Sequence, residues 1–105
     1  MTDKRIVLST AGSEQEAHKI AHILVKRRLA ACVNIVPQVQ SIYRWKGEIE
    51  SAQEWLLLIK TRADKFPGVR DAIVELHSYE VPECIVVAIE DGSPPYLQWL
   101  EKATQ

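Results

Sequence analysis

The feature that most constrains this chain is the order in which strand-like apolar runs alternate with helical patterns. Two segments repeat apolar residues at helical spacing, one from Ala17 to Leu24 and the other from Phe66 to Leu76. Four runs with the character of strands flank them, at residues 6–9, 29–45, 49–59 and 84–89. The order is β-α-β-β-α-β without repeats or linkers, so we expect a single domain over residues 1–105.

This order is that of the ferredoxin-like α+β fold. Right-handed crossovers place both helices on one face of a four-stranded antiparallel sheet, with the second and fourth strands at opposite edges. Pro37 in the second strand suits an edge or a bulge, because proline cannot donate to a central ladder. Lys46-Gly47 predicts the turn of a long hairpin between the second and third strands. A short C-terminal helix is expected to begin at Ser93-Pro94-Pro95.

Local signals predict where the two main helices begin. Ser13 with Glu16 three residues later forms a capping box, and the apolar stripe that follows predicts a helix over residues 14–28. Asp64 or Thr61 is the expected N-cap of the second helix, because short polar side chains accept from the free N–H groups of a first turn.

The composition disfavours several classes of protein. The formal net charge is −1, with 13 Lys and Arg scattered among 14 Asp and Glu, so the sequence gives little support to nucleic-acid binding. No apolar run approaches the ~20 residues of a membrane span, and residues 1–5 lead into a strand without a signal region. Two cysteines without a CxxC pattern suit free thiols. We therefore expect a cytoplasmic protein with no nucleic-acid partner and no membrane partner.

Two properties of the strands predict an oligomer. The runs 55–59 and 84–89 are apolar on both faces, whereas a half-exposed antiparallel sheet alternates. The second and third strands are also much longer than the first helix. Each strand has about 14 residues at roughly 3.3 Å per residue, whereas the helix has about 15 residues that rise only about 1.5 Å each. The hairpin tip must therefore protrude, and its apolar side chains predict contact with a partner chain through Ile42, Tyr43, Trp45 and Ile49.

The loop at residues 77–83 is the most informative segment chemically. It places His77, Tyr79, Glu80 and Glu83 between a helix and a strand, where ordinary turn residues would suffice. Imidazole and carboxylate groups bind metal ions, protons and polar ligands. A solvated polar loop with a hydrogen-bonded tyrosine is the alternative interpretation.

Five blocks of sequence, in one order along nearly the whole chain, resemble a known family. They are Leu29 to Pro37, Ser41 to Glu50, Leu58 to Thr61, His77 to Glu83, and Tyr96 to Trp99. Together they resemble the CutA family, the divalent-cation tolerance proteins. The resemblance implies a ferredoxin-like subunit in a tight homotrimer joined by long hairpins, binding of copper or other divalent metals, a link to metal tolerance, and no established catalytic reaction.

The metal ligands of the family carry over only in part. His77 matches the histidine of the family, but Leu76 and Ser9 stand where some bacterial members have a second histidine and a cysteine. The ligands that the resemblance implies are His77, Glu83 and Cys32, with the cysteine contributed by a neighbouring subunit. We expect copper or another divalent cation to bind weakly there, and we expect no organic cofactor.

The alternative is a trimer that senses a small molecule or binds a partner and has no metal role. The family's trimers resemble the PII signal proteins, which bind small ligands in clefts between subunits. Such a cleft is expected to be lined by Tyr43, Trp45, Glu54, Lys60, Tyr79 and Glu80. The two hairpin aromatics also suit interface anchors. An enzyme is disfavoured, because the chain has no nucleophile elbow, phosphate loop or complete metal-hydrolase signature.

Two further pairs of candidate ligands have structural explanations. Cys32 and Cys84 are expected on opposite sheet edges, about 14 Å apart, which excludes a disulfide and a shared metal within one subunit. His18 and His22 are spaced i, i+4 but lie off the apolar stripe of their helix, so we expect them to be solvated.

Overall fold

A computed structural model describes residues 2–105, and the elements within that range follow the predicted order. The strands are β1 (Lys4–Ala11), β2 (Cys32–Trp45), β3 (Glu48–Arg62) and β4 (Ile85–Ala88). The α-helices are α1 (Glu14–Lys26), α2 (Phe66–Leu76) and α3 (Pro94–Ala103), with a 3-10 turn at Ala63–Lys65 before α2. The antiparallel sheet has the order β2-β3-β1-β4, which confirms the ferredoxin-like α+β fold with β2 and β4 at its edges.

The hydrophobic core lies between one face of the sheet and the helices α1 and α2. The sheet contributes Val7 of β1 and Leu57 and Ile59 of β3, all fully buried. Both helices bury the stripes that their apolar spacing predicts: Ala17, Ile20, Ala21 and Leu24 of α1, and Val69, Ala72 and Ile73 of α2. Because alternate residues of a strand point to opposite sides, the residues between these core positions lie on the other face.

That other face, which we call the open face, carries apolar side chains that α1 and α2 do not cover. The register places Leu8 of β1 between Leu58 of β3 and Ile85 of β4, and it pairs Ile6 with Val87. The two β4 side chains are about half exposed. This confirms that the strands are apolar on both sides, as the sequence predicts.

α3 covers one end of the open face. Its Glu101 carboxylate accepts a hydrogen bond from Lys4 of β1 through one oxygen and from Arg62 of β3 through the other, each at 2.7 Å. Lys4 and Arg62 are paired across the sheet at its end. The third helix therefore covers only the margin of the open face, and apolar surface remains beyond it.

The β2–β3 hairpin is long and protrudes. Its turn lies at Lys46 and Gly47, as predicted, and their φ values of 51° and 82° are the left-handed values typical of a type I′ turn. Near the tip, 76% of Ile42 and 69% of Ile49 are exposed. The ladder shifts register between Val36 and Val39, which places Pro37 in a bulge of an edge strand, as expected.

The bounds of several elements and the cap of α2 differ from the prediction. α1 ends at Lys26 rather than at residue 28, because Arg28 has a φ of 59° that no α-helix continues. No side chain caps α2, so Asp64 and Thr61 are not its caps, and the Thr61 hydroxyl donates instead to the Leu29 carbonyl at 2.6 Å. β4 has four residues rather than six.

Across residues 2–105, every helix is too short or too polar to pass through a bilayer.

Candidate functional site

A cleft with a volume of about 710 Å³ lies between the hairpin and the loop at residues 77–83. We call it the hairpin cleft. The hairpin and the loop supply its two walls, and the end of β1 lies between them. Its lining residues are Thr10 of β1, Ser41, Ile42, Tyr43, Trp45, Glu50 and Glu54 of the hairpin, and Ser78, Tyr79, Glu80, Val81 and Glu83 of the loop.

Glu54 and Tyr79 form the most buried polar pair of the cleft. Glu54 is 6% exposed, and the Tyr79 hydroxyl donates to its Oε2 at 2.7 Å. Burial and the adjacent Glu54 carboxylate raise the pKa of Tyr79 far above its ordinary value of 10.0. The phenol therefore stays protonated at neutral pH and remains a donor to the carboxylate.

His77 lies behind the cleft rather than in it. Its side chain is 0% exposed. Since a carbonyl can only accept, Nε2–H donates to the Thr10 carbonyl at 2.6 Å, and Nδ1 accepts from the backbone N–H of Tyr79 at 3.1 Å. The ring also lies 4.6 Å from that of Tyr79, measured between centroids. Both ring nitrogens are thus engaged, and the histidine orients the tyrosine.

Glu16 fastens the loop to the N-terminal turn of α1. Its two carboxylate oxygens accept from the backbone N–H of Ser78 at 2.7 Å and from the Ser78 hydroxyl at 2.8 Å. Burial raises the pKa of this carboxyl, but the bonds from Ser78 and the nearby His77 outweigh it and lower the pKa below 4.5. Only one half of the predicted capping box is therefore present. The Ser13 hydroxyl accepts from the Glu16 N–H at 3.1 Å, but the Glu16 carboxylate bonds to the loop instead of the N-cap.

Gly12 gives the Tyr79 phenol its space at the end of β1. A Cβ atom at Gly12 would lie 2.8 Å from the Tyr79 hydroxyl oxygen, well inside van der Waals contact. The hydroxyl of Tyr79 is thus positioned by Gly12, by the His77 ring and by the Glu54 carboxylate. Such an arrangement is preorganised, because each neighbour restricts the same side chain.

The expected metal ligands are not brought together within one subunit. Glu83 lines the cleft, His77 is buried behind it, and Cys32 lies at the β2 edge with its Sγ 3.8 Å from Asn34 Oδ1. Among residues 2–105, no group of three or more His, Cys, Asp and Glu side chains is arranged to hold a metal ion. A site built from these residues therefore needs donors from a second subunit.

The residues expected to line a ligand cleft are largely assembled. Five of the six line the hairpin cleft: Tyr43, Trp45, Glu54, Tyr79 and Glu80. Lys60 lies elsewhere, six residues along β3 from Glu54, where its amine donates to Asn34. Glu50 also lines the cleft but is absent from the predicted residues, although its spacing from Glu54 could have indicated it. Residues 50 and 54 share one face of β3, and Glu50 pairs with Tyr43.

The remaining candidate ligands lie where the sequence predicts. Cys32 and Cys84 are free thiols, the first on β2 and the second just before β4, and these strands form opposite edges of the sheet. Cys84 packs against the core, and burial raises the pKa of its thiol. His18 and His22 are exposed on α1.

Fold and cleft together define a ferredoxin-like α+β protein with a cleft beside a protruding hairpin. The model of the CutA1 divalent ion tolerance protein family matches residues 5–103. The divalent-cation tolerance protein CutA of Thermus thermophilus is 48% identical over 101 residues, which are 96% of this chain and 98% of that protein. Protein CutA of Homo sapiens is 46% identical over 96 residues, 91% of this chain but only 54% of the human protein. The chain belongs to the CutA family.

Solved structures of the family agree with the fold. A Thermus thermophilus divalent cation tolerance protein superposes with a TM-score of 0.94 at 48% identity, covering 97% of this chain and 99% of that chain. CutA from Xylella fastidiosa superposes with a TM-score of 0.97 at 39% identity, covering 99% of this chain and 100% of that chain. Membership of this family supports a role in divalent-cation tolerance.

Proposed function

We propose that this protein acts in divalent-cation tolerance as a homotrimer that binds its ligand in the hairpin cleft. The observation that carries the proposal is the cleft itself, where a carboxylate-rich loop faces the aromatic side chains of a protruding hairpin. A site of about 710 Å³ lies within the range of roughly 300–1,000 Å³ that small-ligand sites occupy.

The exposed apolar surface supports assembly. Ile42 and Ile49 extend from the hairpin, and Ile85 and Val87 lie uncovered on the open face. Apolar surface of this kind on a soluble protein marks contacts with partner chains. Two separate patches suit a closed ring, in which every subunit offers one patch to each neighbour.

Copper is the divalent cation that we propose, held weakly between subunits. Glu83 lies at the cleft and offers a free carboxylate, and Cys32 of a neighbouring subunit would supply the soft donor that copper prefers. His77 would have to give up the bond from Tyr79 or the bond to Thr10, each worth about 1 kcal/mol. We therefore expect Glu83 and Cys32 to contribute more of the affinity than His77.

Calorimetric titration with Cu²⁺ tests this proposal. We expect Glu83→Gln and Cys32→Ser each to lower the affinity for Cu²⁺ by about tenfold, since the first removes the negative charge of a ligand and the second replaces a soft sulfur with oxygen. Glu75→Gln is the matched control, because it removes the same charge from an exposed position on α2. If the isotherms of wild type, Glu83→Gln and Cys32→Ser coincide, copper is not the ligand at these residues.

The second candidate function is a PII-like trimer that senses a small molecule without a metal role. The buried pair of Glu54 and Tyr79 favours it, because a preorganised polar group in a cleft suits an organic ligand. Under either function we propose a cytoplasmic binding protein rather than an enzyme. Two cysteines without a CxxC pattern support the proposed compartment, and the lack of a nucleophile-elbow motif in the sequence supports a binding role.

A further inference from the structure

We propose that the hairpin cleft binds a linear polyamine, an organic cation with several ammonium groups spaced along a flexible chain. The inference rests on the second candidate function, the use of this cleft as a small-molecule site, and it adds the chemical class of that molecule. Four observations lead to it: the charge of the cleft, its buried carboxylate, the spacing of its acidic groups and its aromatic wall.

The charge of the cleft has one sign. Its lining side chains include the carboxylates of Glu50, Glu54, Glu80 and Glu83. Among the described residues, no lysine or arginine lines it. The chain as a whole has a formal net charge of only −1, so this concentration of negative charge is local. A cleft lined by one sign of charge attracts ligands of the other sign.

Glu54 is a buried carboxylate that lacks a cation. It is 6% exposed and accepts one hydrogen bond, from the Tyr79 hydroxyl. None of the ion pairs formed within residues 2–105 includes it. A carboxylate removed from water is costly unless a cation pairs with it. An ammonium group next to Glu54 would supply that partner.

The spacing of the carboxylates favours several positive charges over one ion. They line a common cleft, yet no three of them are arranged to hold a metal ion in the part of the chain that the structure describes. Glu50 and Glu54 are four residues apart on one strand, a separation of about 13 Å. A single ion cannot bridge that distance, whereas an extended polyamine places one ammonium group near each carboxylate.

The aromatic wall suits the methylene segments and the ammonium groups of such a chain. Tyr43 and Trp45 of the hairpin face the cleft opposite Tyr79 of the loop. Aromatic faces attract ammonium ions and pack against methylene groups. The ring of Trp45 already contacts one ammonium group, since Lys46 Nζ lies 5.7 Å from its centroid.

Isothermal titration with spermidine, at a constant ionic strength of about 0.15 M, tests the inference. We expect saturable binding to the wild-type protein, an affinity at least about tenfold lower for Glu54→Gln, and a several-fold lower affinity for Glu50→Gln. Glu75→Gln removes the same charge outside the cleft, so its affinity should stay within about twofold of wild type. Glu54→Asp keeps the charge and should retain binding.

Two variants keep the test decisive if Glu54→Gln fails to fold. Glu50 is exposed on the hairpin, so Glu50→Gln leaves the core intact, and Glu54→Asp preserves the buried charge. The inference is overturned if wild type shows no saturable binding. It is equally overturned if Glu75→Gln loses as much affinity as Glu50→Gln, or if Mg²⁺ at equal ionic strength displaces spermidine completely, because binding would then reflect diffuse charge.

The outcome of the spermidine titration can be distinguished from the outcome of the copper titration. Copper binding that depends on Glu83, without spermidine binding, overturns the inference and leaves the proposed copper site intact. Spermidine binding that depends on Glu54, without copper binding, supports the inference and favours the small-molecule function. A protein that binds spermidine as a monomer would keep the inference and contradict the proposed trimer.

Discussion

Glu16 connects two parts of the molecule through one side chain. It belongs to the first turn of α1, yet both of its carboxylate oxygens bind Ser78 of the loop that forms one wall of the cleft. His77, the neighbour of Ser78, then bonds the end of β1 through Thr10 and orients Tyr79. The position of the Tyr79 phenol therefore depends on a carboxylate outside the cleft.

Removing this carboxylate should loosen the loop. We expect Glu16→Ala to lower the free energy of unfolding by about 2 kcal/mol at neutral pH, because two hydrogen bonds to a charged acceptor are lost. The contribution should be complete above pH 4.5, the ordinary pKa, and should disappear as the pH falls through the lowered pKa of the folded state. Urea denaturation at about pH 7 and about pH 3, at one protein concentration, measures both effects.

Glu14→Ala is the control for this prediction. Glu14 is an exposed carboxylate of the same first turn, so both variants lose the same favourable interaction with the helix dipole. If the two variants are equally stable at neutral pH, the bonds that Ser78 donates to Glu16 contribute nothing, and Glu16 does not hold the loop.

At this scale the sequence predicts side-chain chemistry better than side-chain partners. The loop at residues 77–83 could be singled out from its residue types, although these also suit a solvated polar loop. The hydrogen bonds made by both His77 nitrogens could not be predicted, because one partner is the Thr10 carbonyl, which lies 67 residues away in the sequence. The capping-box pattern likewise predicts that the Glu16 side chain bonds to its own helix. Its partner in the structure is Ser78, which comes close to Glu16 only in the folded chain.

The hairpin is the element on which both assembly and the cleft depend. Its turn could be predicted from Lys46-Gly47, and its length from the run of strand-forming residues. The bulge at Pro37 could also be anticipated, because proline lacks the donor that a regular ladder needs. The lack of a side-chain cap on α2 could not be predicted, because the Thr61 hydroxyl donates its hydrogen bond to the distant Leu29 carbonyl instead.

Lys46 is the strained residue of the turn. Its φ of 51° lies in the left-handed region, which disfavours a lysine and suits asparagine. We expect Lys46→Asn to raise the free energy of unfolding by about 0.5 kcal/mol, because Asn-Gly is the preferred type I′ pair. Lys46→Val should lower it by about 1 kcal/mol or more, since a β-branched residue resists this conformation. Urea denaturation that ranks the three proteins otherwise would contradict the turn assignment.

Across the whole molecule, the uncovered apolar surface is the dominant feature. The sequence predicts it from strands that are apolar on both sides, and the structure shows α3 covering only one end of the open face. The number of subunits in an oligomer depends on how surfaces of different chains fit together. A pattern of residues within one chain therefore predicts an oligomer but not its number of subunits.

Trp45 is the expected anchor of that assembly. We expect Trp45→Ala to weaken subunit association by about 2–4 kcal/mol while leaving the secondary structure unchanged, because a large aromatic side chain near an interface centre is lost. Sedimentation equilibrium over a dilution series measures the association, and circular dichroism measures the fold. Val74→Ala, an exposed position on α2, is the control. A variant that stays as fully assembled as wild type on dilution would remove Trp45 as an anchor.

The mass of the protein in solution decides whether three copies of this chain assemble. Size-exclusion chromatography with light scattering, at micromolar concentration, reports it without assumptions about shape. We predict a single species of three subunits, each of 11.9 kDa. A single species of 11.9 kDa would contradict this prediction, because the exposed hairpin and the open face would then have no partner.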